Sequence, residues 1–195
     1  MSGDRLARRR DSARSRELLL RAAVELFAEK GFDRSTVREI GERAGVDPAL
    51  IARYFGGKTQ LYIAALRAER GDTVRADLLD PEYLLELLER VDRRGPGPLL
   101  RAVVQPHADP EAQDAARATL YARLVEPLRE RFAREGRDRP ELRAEIVVAA
   151  FVGVLLGRRS GVFDGLARVG SDDLAALLRD TLAPDGDRPP PHRPE

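Results

Sequence analysis

"AGVDPAL" occupies residues 44–50, inside a stretch that otherwise reads as helix. Gly45 suits a helix stop, because glycine enters the left-handed conformation at little cost. Asp47 suits an N-cap, and Pro48 suits the first helical position, where its missing N–H is no loss. One helix end and one helix start therefore stand two residues apart. Two short helices joined so tightly must cross at a steep angle.

The flanks extend the pattern. Leu18/Leu19, Ala22/Ala23 and Leu26/Phe27 recur every four residues, which predicts an amphipathic helix over residues ~12–30 that Gly31 ends. Thr36 followed by Glu39 is a capping box and opens the second helix, which runs to about Ala44. The third runs from Asp47 to about Tyr54. Gly56 and Gly57 break the chain, and a fourth helix starts near Lys58 and continues to the high 70s. Gly41, without a side chain, lets the third helix approach the second. Ile40, Ala44, Val46, Ile51 and Phe55 form the expected small core beneath the corner.

Downstream, Asp80-Pro81 and Asp109-Pro110 repeat the cap-then-proline device, and Pro98 and Pro140 also mark helix starts. Pro127 falls inside a helical pattern and should kink or split it. Residues 144–156, "AEIVVAAFVGVLL", are apolar nearly all round and read as a helix buried on several sides. Ser171 or Asp172 caps a last helix with Leu174, Leu177, Leu178 and Leu182 on one face. "PDGDRPPPHRPE" at 184–195 reads as a disordered tail. No period-two strand pattern occurs, so the expected class is all-α.

Composition narrows the function. The chain has 195 residues, 43% hydrophobic, enough to bury a core. No apolar run reaches the ~18 residues of a membrane span, and the Arg-rich N-terminus is no secretory signal. Cysteine is absent, which excludes disulfides and thiol catalysis and suits the cytoplasm. Net charge is +1, but residues 1–58 carry 13 Lys+Arg against 9 Asp+Glu, so this end is basic and suits a polyanionic partner. Only Lys30 and Lys58 break the use of arginine as the cation. His107 and His192 are isolated from each other, so no two-histidine metal site is expected. "GRRSG" at 157–161 lacks the nucleophile-elbow pattern. No catalytic residue, metal or cofactor is expected.

A steep corner joined through glycine is the helix-turn-helix arrangement, whose second helix fits the major groove. Residues 18–62 as a whole resemble the DNA-binding domain of the tetracycline-repressor (TetR) family. "LFAEKGF", "TVREI", the turn "AGV", the pair Tyr54-Phe55 and Lys58 at the head of the fourth helix carry the resemblance. It implies an N-terminal three-helix DNA-binding domain and a C-terminal helical bundle that binds a ligand and dimerises. The expected partition is a basic flexible arm over 1–11, the DNA-binding domain over 12–58, the ligand and dimerisation domain over 59–183, and the tail. The implied function is a one-component regulator, a repressor released from a palindromic operator in double-stranded DNA by a small molecule. Many members carry Tyr in the middle of the recognition helix where this chain has Ala52, so that contact is absent here.

The expected DNA-binding residues are Thr36, Pro48, Ala49, Leu50, Arg53, Tyr54 and Lys58, with Arg9 and Arg10 of the arm. Thr36 caps its helix, and the resemblance adds a phosphate at the same helix start. Pro48, Ala49 and Leu50 can read thymine methyls and groove shape. Arg53 is the one long donor on the recognition helix. Tyr54 packs on the first helix with its hydroxyl toward phosphate. Lys58, at a helix N-terminus, gains nothing from its own helix dipole, which an external phosphate would explain.

Leu66, Tyr83, Leu87, Val104, Leu120, Tyr121, Leu124 and Phe151 are candidate walls of a mostly apolar ligand site, with Gln105, His107 and Arg123 for polarity. Gly153 and Gly157, four apart on one helix face, together with Leu174, Leu177 and Leu178, are the candidate homodimer interface. The rival reading takes "ARYFGGKT" at 52–59 as a phosphate loop of a nucleotide-binding protein. That chemistry needs a strand before the loop and a parallel sheet around it.

Overall fold

The computed structural model describes residues 2–68 and 77–182, with side chains from residue 10 onward. The described residues are helical throughout and contain no strand. The elements are α1 (Ser2–Lys30), α2 (Val37–Ala44), α3 (Ala49–Phe55), α4 (Lys58–Ala68), α5 (Pro81–Arg94), α6 (Pro98–Val104), α7 (Pro110–Leu120), α8 (Glu126–Arg134), α9 (Pro140–Ser160), α10 (Asp164–Arg168) and α11 (Ser171–Leu182). The fourth helix is described to Ala68, and residues 77–80 form a turn closed by the Asp80 N–H on the Asp77 carbonyl at 3.0 Å, so the helix does not extend to the high 70s as expected. Residues 69–76 and the tail beyond 182 are outside the described residues.

α1 begins at Ser2, about ten residues before the expected start. The stretch read as a separate flexible arm continues this helix. Charge alone does not interrupt a helix, and Arg, Ala and Leu are good helix formers. Two further boundaries follow local chemistry. Asp80 Oδ1 accepts the Tyr83 N–H at 3.0 Å, and Asp109 accepts the N–H groups of Glu111 and Ala112 at 2.9 and 3.3 Å. Pro127 is accommodated by a π-helical turn over Tyr121–Val125 directly before it, which absorbs the hydrogen bond that proline cannot make.

The chain forms two compact units, and these divide differently from the expected 12–58 and 59–183. One takes in the described residues up to 68 together with Arg94–Arg123. Its core joins Leu19, Ala23, Leu26 and Phe27 of α1 to Ile40 of α2, Ile51 of α3 and Leu61, Tyr62, Ala65 and Leu66 of α4. Leu99 of α6 and Ala112 and Ala116 of α7 complete it. α4, α6 and α7 thus belong with the helix-turn-helix. Burying a side chain such as Phe27 or Leu26 stabilises by roughly 1.5–3 kcal/mol.

The other unit holds the described residues to Arg93 of α5, and Leu124 onward. α5 buries Leu84, Leu87, Leu88 and Val91; α9 buries Ala144, Val147, Val148, Phe151, Val152 and Leu155. Arg158 of α9 ties three elements. Its guanidinium pairs with both Asp92 oxygens at 3.1 and 3.0 Å and donates to the carbonyls of Leu166 and Val169 at 3.0 and 2.7 Å. Ser171 Oγ donates to the same Asp92 at 3.0 Å, which fixes the start of α11.

Candidate nucleic-acid interface

The corner is built by backbone bonds and a single glycine contact. Gly45 is left-handed (φ 62°), and its N–H reaches the Glu42 carbonyl at 3.2 Å. The Val46 N–H returns to the Gly41 carbonyl at 3.0 Å and closes α2. Asp47 Oδ1 accepts the Ala49 N–H at 2.8 Å, and Pro48 already has helical dihedrals (φ −59°, ψ −24°). The expected cap-then-proline start is present, with the regular helix beginning one residue after Pro48. Gly41 faces Pro48 directly, with no room for a side chain between them.

Side chains then fix α2 on α1. The Thr36 Oγ1 accepts the Glu39 N–H at 3.2 Å while Glu39 Oε2 accepts the Thr36 N–H at 2.9 Å, so the capping box is complete. Lys30 Nζ donates to the other Glu39 oxygen at 2.5 Å. The Lys30 ammonium first, then the Thr36 hydroxyl and N–H, push the Glu39 carboxyl down to about 2. Arg43 grips Glu29 of α1 with two bonds of 2.7 and 2.8 Å. The Arg43 bond holds the Glu29 carboxyl below its ordinary value. One of the two lysines singled out in the sequence is therefore a clamp between α1 and α2.

Of the expected DNA-binding residues, Thr36, Ala49 and Arg53 are exposed, while Pro48, Leu50, Tyr54 and Lys58 are half-buried. Leu50, Tyr54 and Phe55 pack against the core from its edge, so the aromatic pair is largely structural. Arg53 extends over the Tyr54 ring, 6.0 Å from its centroid. Arg10 is exposed on α1, and the Arg9 side chain lies outside the described residues.

Lys58 has more company than its position in sequence suggested. Its ammonium stands 4.3 Å above the Phe32 ring. Burial pushes its pKa down, against the pull of Asp33, Asp109 and Glu39. The next residue, Thr59, donates to Asp109 Oδ2 at 2.6 Å, and Gln60 donates to Glu111 at 2.5 Å. Sequence reasoning placed Asp109 only as a cap. Its second role, and that of Asp33, needs contacts between segments some 50 to 75 residues apart.

The phosphate-loop reading fails on this geometry. Residues 52–55 are the end of a helix, Gly56 and Gly57 are a short link, and residues 58–59 begin another helix. No strand precedes the loop among the described residues.

The candidate ligand walls do not form one site within either unit. Leu66, Val104, Gln105, His107, Leu120 and Tyr121 belong to the first unit, with Arg123; Tyr83, Leu87, Leu124 and Phe151 belong to the second. Leu66, Leu87, Leu124 and Phe151 are closed core positions, while Val104 and Gln105 are exposed. Periodicity marked them as apolar and inward but could not distinguish core from pocket. The dimer candidates also separate. Leu174 and Leu178 are buried within their own chain, and Gly157 is covered by the Phe163 ring, 3.0 Å from where its Cβ would stand. Gly153 and Leu177 face outward.

Two family models match this chain. Residues 19–65 match the bacterial regulatory proteins of the tetR family, and residues 81–183 match the tetracyclin repressor-like C-terminal domain. The chain belongs to the TetR family. It is a DNA-binding transcriptional regulator built on a helix-turn-helix. A Mycobacterium tuberculosis HTH-type transcriptional repressor is 30% identical over 171 residues, 85% of each chain. The HTH-type transcriptional repressor NicS of Pseudomonas putida is 32% identical over 87 residues, 42% of this chain and 41% of its own. Among solved structures, Salmonella enterica GusR shares the fold (TM-score 0.57, 23% identity, covering 86% of this chain and 93% of its own). So does Bacillus subtilis FadR in complex with stearoyl-CoA (TM-score 0.59, 17% identity, 85% and 96%). No helix among the described residues is long and apolar enough to cross a membrane.

Proposed function

We propose that this regulator is a cytoplasmic homodimeric repressor that reads a palindromic operator and leaves it when a small, mostly apolar molecule binds. The observation that carries the DNA part is the corner itself. α3 is short, held against α2 through Gly41, and presents Ala49 and Arg53 to solvent beside the exposed cap of Thr36. Thr36, Pro48, Ala49, Leu50, Arg53, Tyr54 and Lys58 make up the DNA face, and Arg9 and Arg10 of α1 add basic charge from the same end of the chain. Thr36 and Lys58 each stand at a helix N-terminus, where an anion is favoured. Repression is the activity named for the mycobacterial and pseudomonad relatives.

Two-fold symmetry comes from α9 and α11. Leu142, Ile146, Ala149 and Gly153 are exposed at helical spacing on α9, and Leu177 is 58% exposed on α11. An apolar stripe of that kind on α9, with an exposed leucine on α11, suits a second copy, and a dimer axis is what a palindromic site requires. A ligand that binds one spacing of the recognition helices better shifts the population toward it.

The test is selection of bound sequences from a random duplex pool with the purified protein, followed by salt titration. A two-half-site palindrome should emerge, and log affinity should fall with log salt by about 0.9 per phosphate contact. Equal affinity for every sequence would overturn the reading.

A further inference from the structure

His107 lies in the turn after α6, with its side chain 4% exposed. Its Nε2 is 2.8 Å from the Tyr62 hydroxyl on α4, and its Nδ1 is 3.8 Å from the Asp33 carboxylate in the α1–α2 turn. The ring packs beside Phe32 and edge-on to Tyr62, at centroid distances of 5.3 and 5.0 Å. Phe32 is also the ring on which Lys58 rests. The charged groups facing His107 are Asp33 from the α1–α2 turn, Lys58 from the head of α4 and Asp109 from the head of α7. Tyr62 faces it from the body of α4.

We propose that His107 is a positioning residue for the first turn of α4 that works only while uncharged, as an acceptor for Tyr62, so that mild acid weakens DNA binding. The proposal rests on DNA binding by the α1–α4 half. With Asp33 beside Nδ1, the neutral ring carries its proton there and leaves the Nε2 lone pair to accept from the Tyr62 hydroxyl. A second proton on Nε2 turns that acceptor into a donor, and the Tyr62 hydroxyl must reorient. It also places a cation in a poorly hydrated site next to Lys58, on the same aromatic ring. Asp33 and Asp109 favour that cation, but Asp33 is 45% exposed and screened, and Asp109 is already held by Thr59 and two backbone N–H groups. Burial outweighs both and lowers the imidazole pKa from its ordinary value in this arrangement, so mild acid protonates it where this arrangement is given up.

Relief comes from separating the head of α4 from the 105–109 turn. That head carries Lys58 and follows the recognition helix after only Gly56 and Gly57. An arrangement that accepts the proton is therefore one in which Lys58 has moved from its place beside α3. Because the imidazole is nearly fully buried, its charge acts on Lys58 more than on a phosphate in solvent.

The experiment measures affinity for a selected operator duplex at about pH 7.5 and about pH 5.5, at constant ionic strength, for the parent, His107→Gln, Tyr62→Phe and His192→Gln. Glutamine can still bond to Tyr62 but does not titrate. His107→Gln should bind within about twofold of the parent at the higher pH, and the parent should be weaker than it by about fivefold or more at the lower. His192→Gln, which removes the other histidine of the chain, should follow the parent. A ratio of parent to His107→Gln affinity that does not change with pH overturns the proposal. Should His107→Gln not fold by circular dichroism, Tyr62→Phe decides. It must shrink the acid response, and an unchanged response overturns the proposal. Absence of any selected duplex at either pH is a different result, since it defeats the DNA-binding reading and this proposal with it.

Discussion

A β-carbon placed on Gly41 would stand 2.8 Å from the β-carbon of Pro48 and 2.8 Å from the carbonyl oxygen of Val46. Both are parts of the chain that cannot swing aside. Gly41→Ala should therefore push α3 away from α2 and destabilise the DNA-binding half by roughly 1–3 kcal/mol. Gly45→Ala is the comparison, because nothing lies within 4 Å of its would-be β-carbon and only its left-handed φ of 62° is penalised. That costs about 1–2 kcal/mol without displacing α3. Urea unfolding reports both losses. At a temperature where both variants are folded, only Gly41→Ala should lose operator affinity by tenfold or more, about 1.4 kcal/mol. Equal affinities would mean that the close approach does not set the position of the recognition helix.

The clamp of Lys30 and Thr36 on Glu39 predicts an acid limb. Glu39 is held at about 2, against an ordinary value of 4.5. A carboxyl depressed on folding stabilises above its unfolded value and loses that contribution as pH falls toward the folded one. The thermal midpoint should thus decline between about pH 4.5 and pH 2, in step with protonation of this group. Glu39→Gln removes the titration and should flatten that decline while lowering the midpoint at neutral pH. A variant whose acid limb matches the parent's would show that the clamp contributes nothing. The groups are partly exposed, so raised salt should also weaken the effect.

What could be read from the sequence here was what is decided locally. The Thr36–Glu39 box, the Asp80 and Asp109 caps and the Gly31, Gly45 and Gly56 stops each depend on residues within a few positions, and each sits where it was expected. α10 escaped notice because Phe163 stands at its cap and offers no side-chain bond. The early start of α1 escaped because nothing in its sequence either forces or forbids one. Leu174, Leu177 and Leu178 form one apolar stripe, but only the fold decides which flank is covered. Asp33 around Lys58 comes from one distant segment and His107 and Asp109 from another, and no spacing rule brings them together.

Arg53 and Lys58 should differ in kind. Arg53 is exposed on the recognition helix, where a guanidinium can reach a base edge. Arg53→Ala should relax preference at one position in each half-site, by about 1–3 kcal/mol. Lys58→Ala should weaken all duplexes alike and flatten the salt slope by about one unit. Because its ammonium also rests on Phe32 at 4.3 Å, Lys58→Ala should lower thermal stability more than Arg53→Ala, whose guanidinium is exposed and stands 6.0 Å from the Tyr54 ring. If Arg53→Ala only flattens the salt slope, Arg53 is a phosphate contact.

Gly153 and Gly157 lie one turn apart on α9 but have opposite surroundings. A β-carbon on Gly157 would meet the Phe163 ring at 3.0 Å and Leu166 at 3.5 Å, whereas one on Gly153 would meet nothing within 4 Å. Gly157→Leu should therefore overpack its own chain and cost about 1–3 kcal/mol whatever the oligomeric state. Gly153 is exposed, and its added β-carbon meets no described residue within 4 Å, so Gly153→Leu disturbs little within the described chain. If a second copy lies against the Leu142, Ile146, Ala149 and Gly153 face, its bulk falls entirely on that contact. Sedimentation of both variants beside the parent, at several micromolar concentrations, separates the cases. Gly153→Leu should dissociate at concentrations where the parent is dimeric, while its secondary structure by circular dichroism is unchanged. A Gly153→Leu protein that remains as dimeric as the parent moves the interface off this face of α9. A parent that is itself monomeric removes the dimer, and with it the need for an operator of two half-sites.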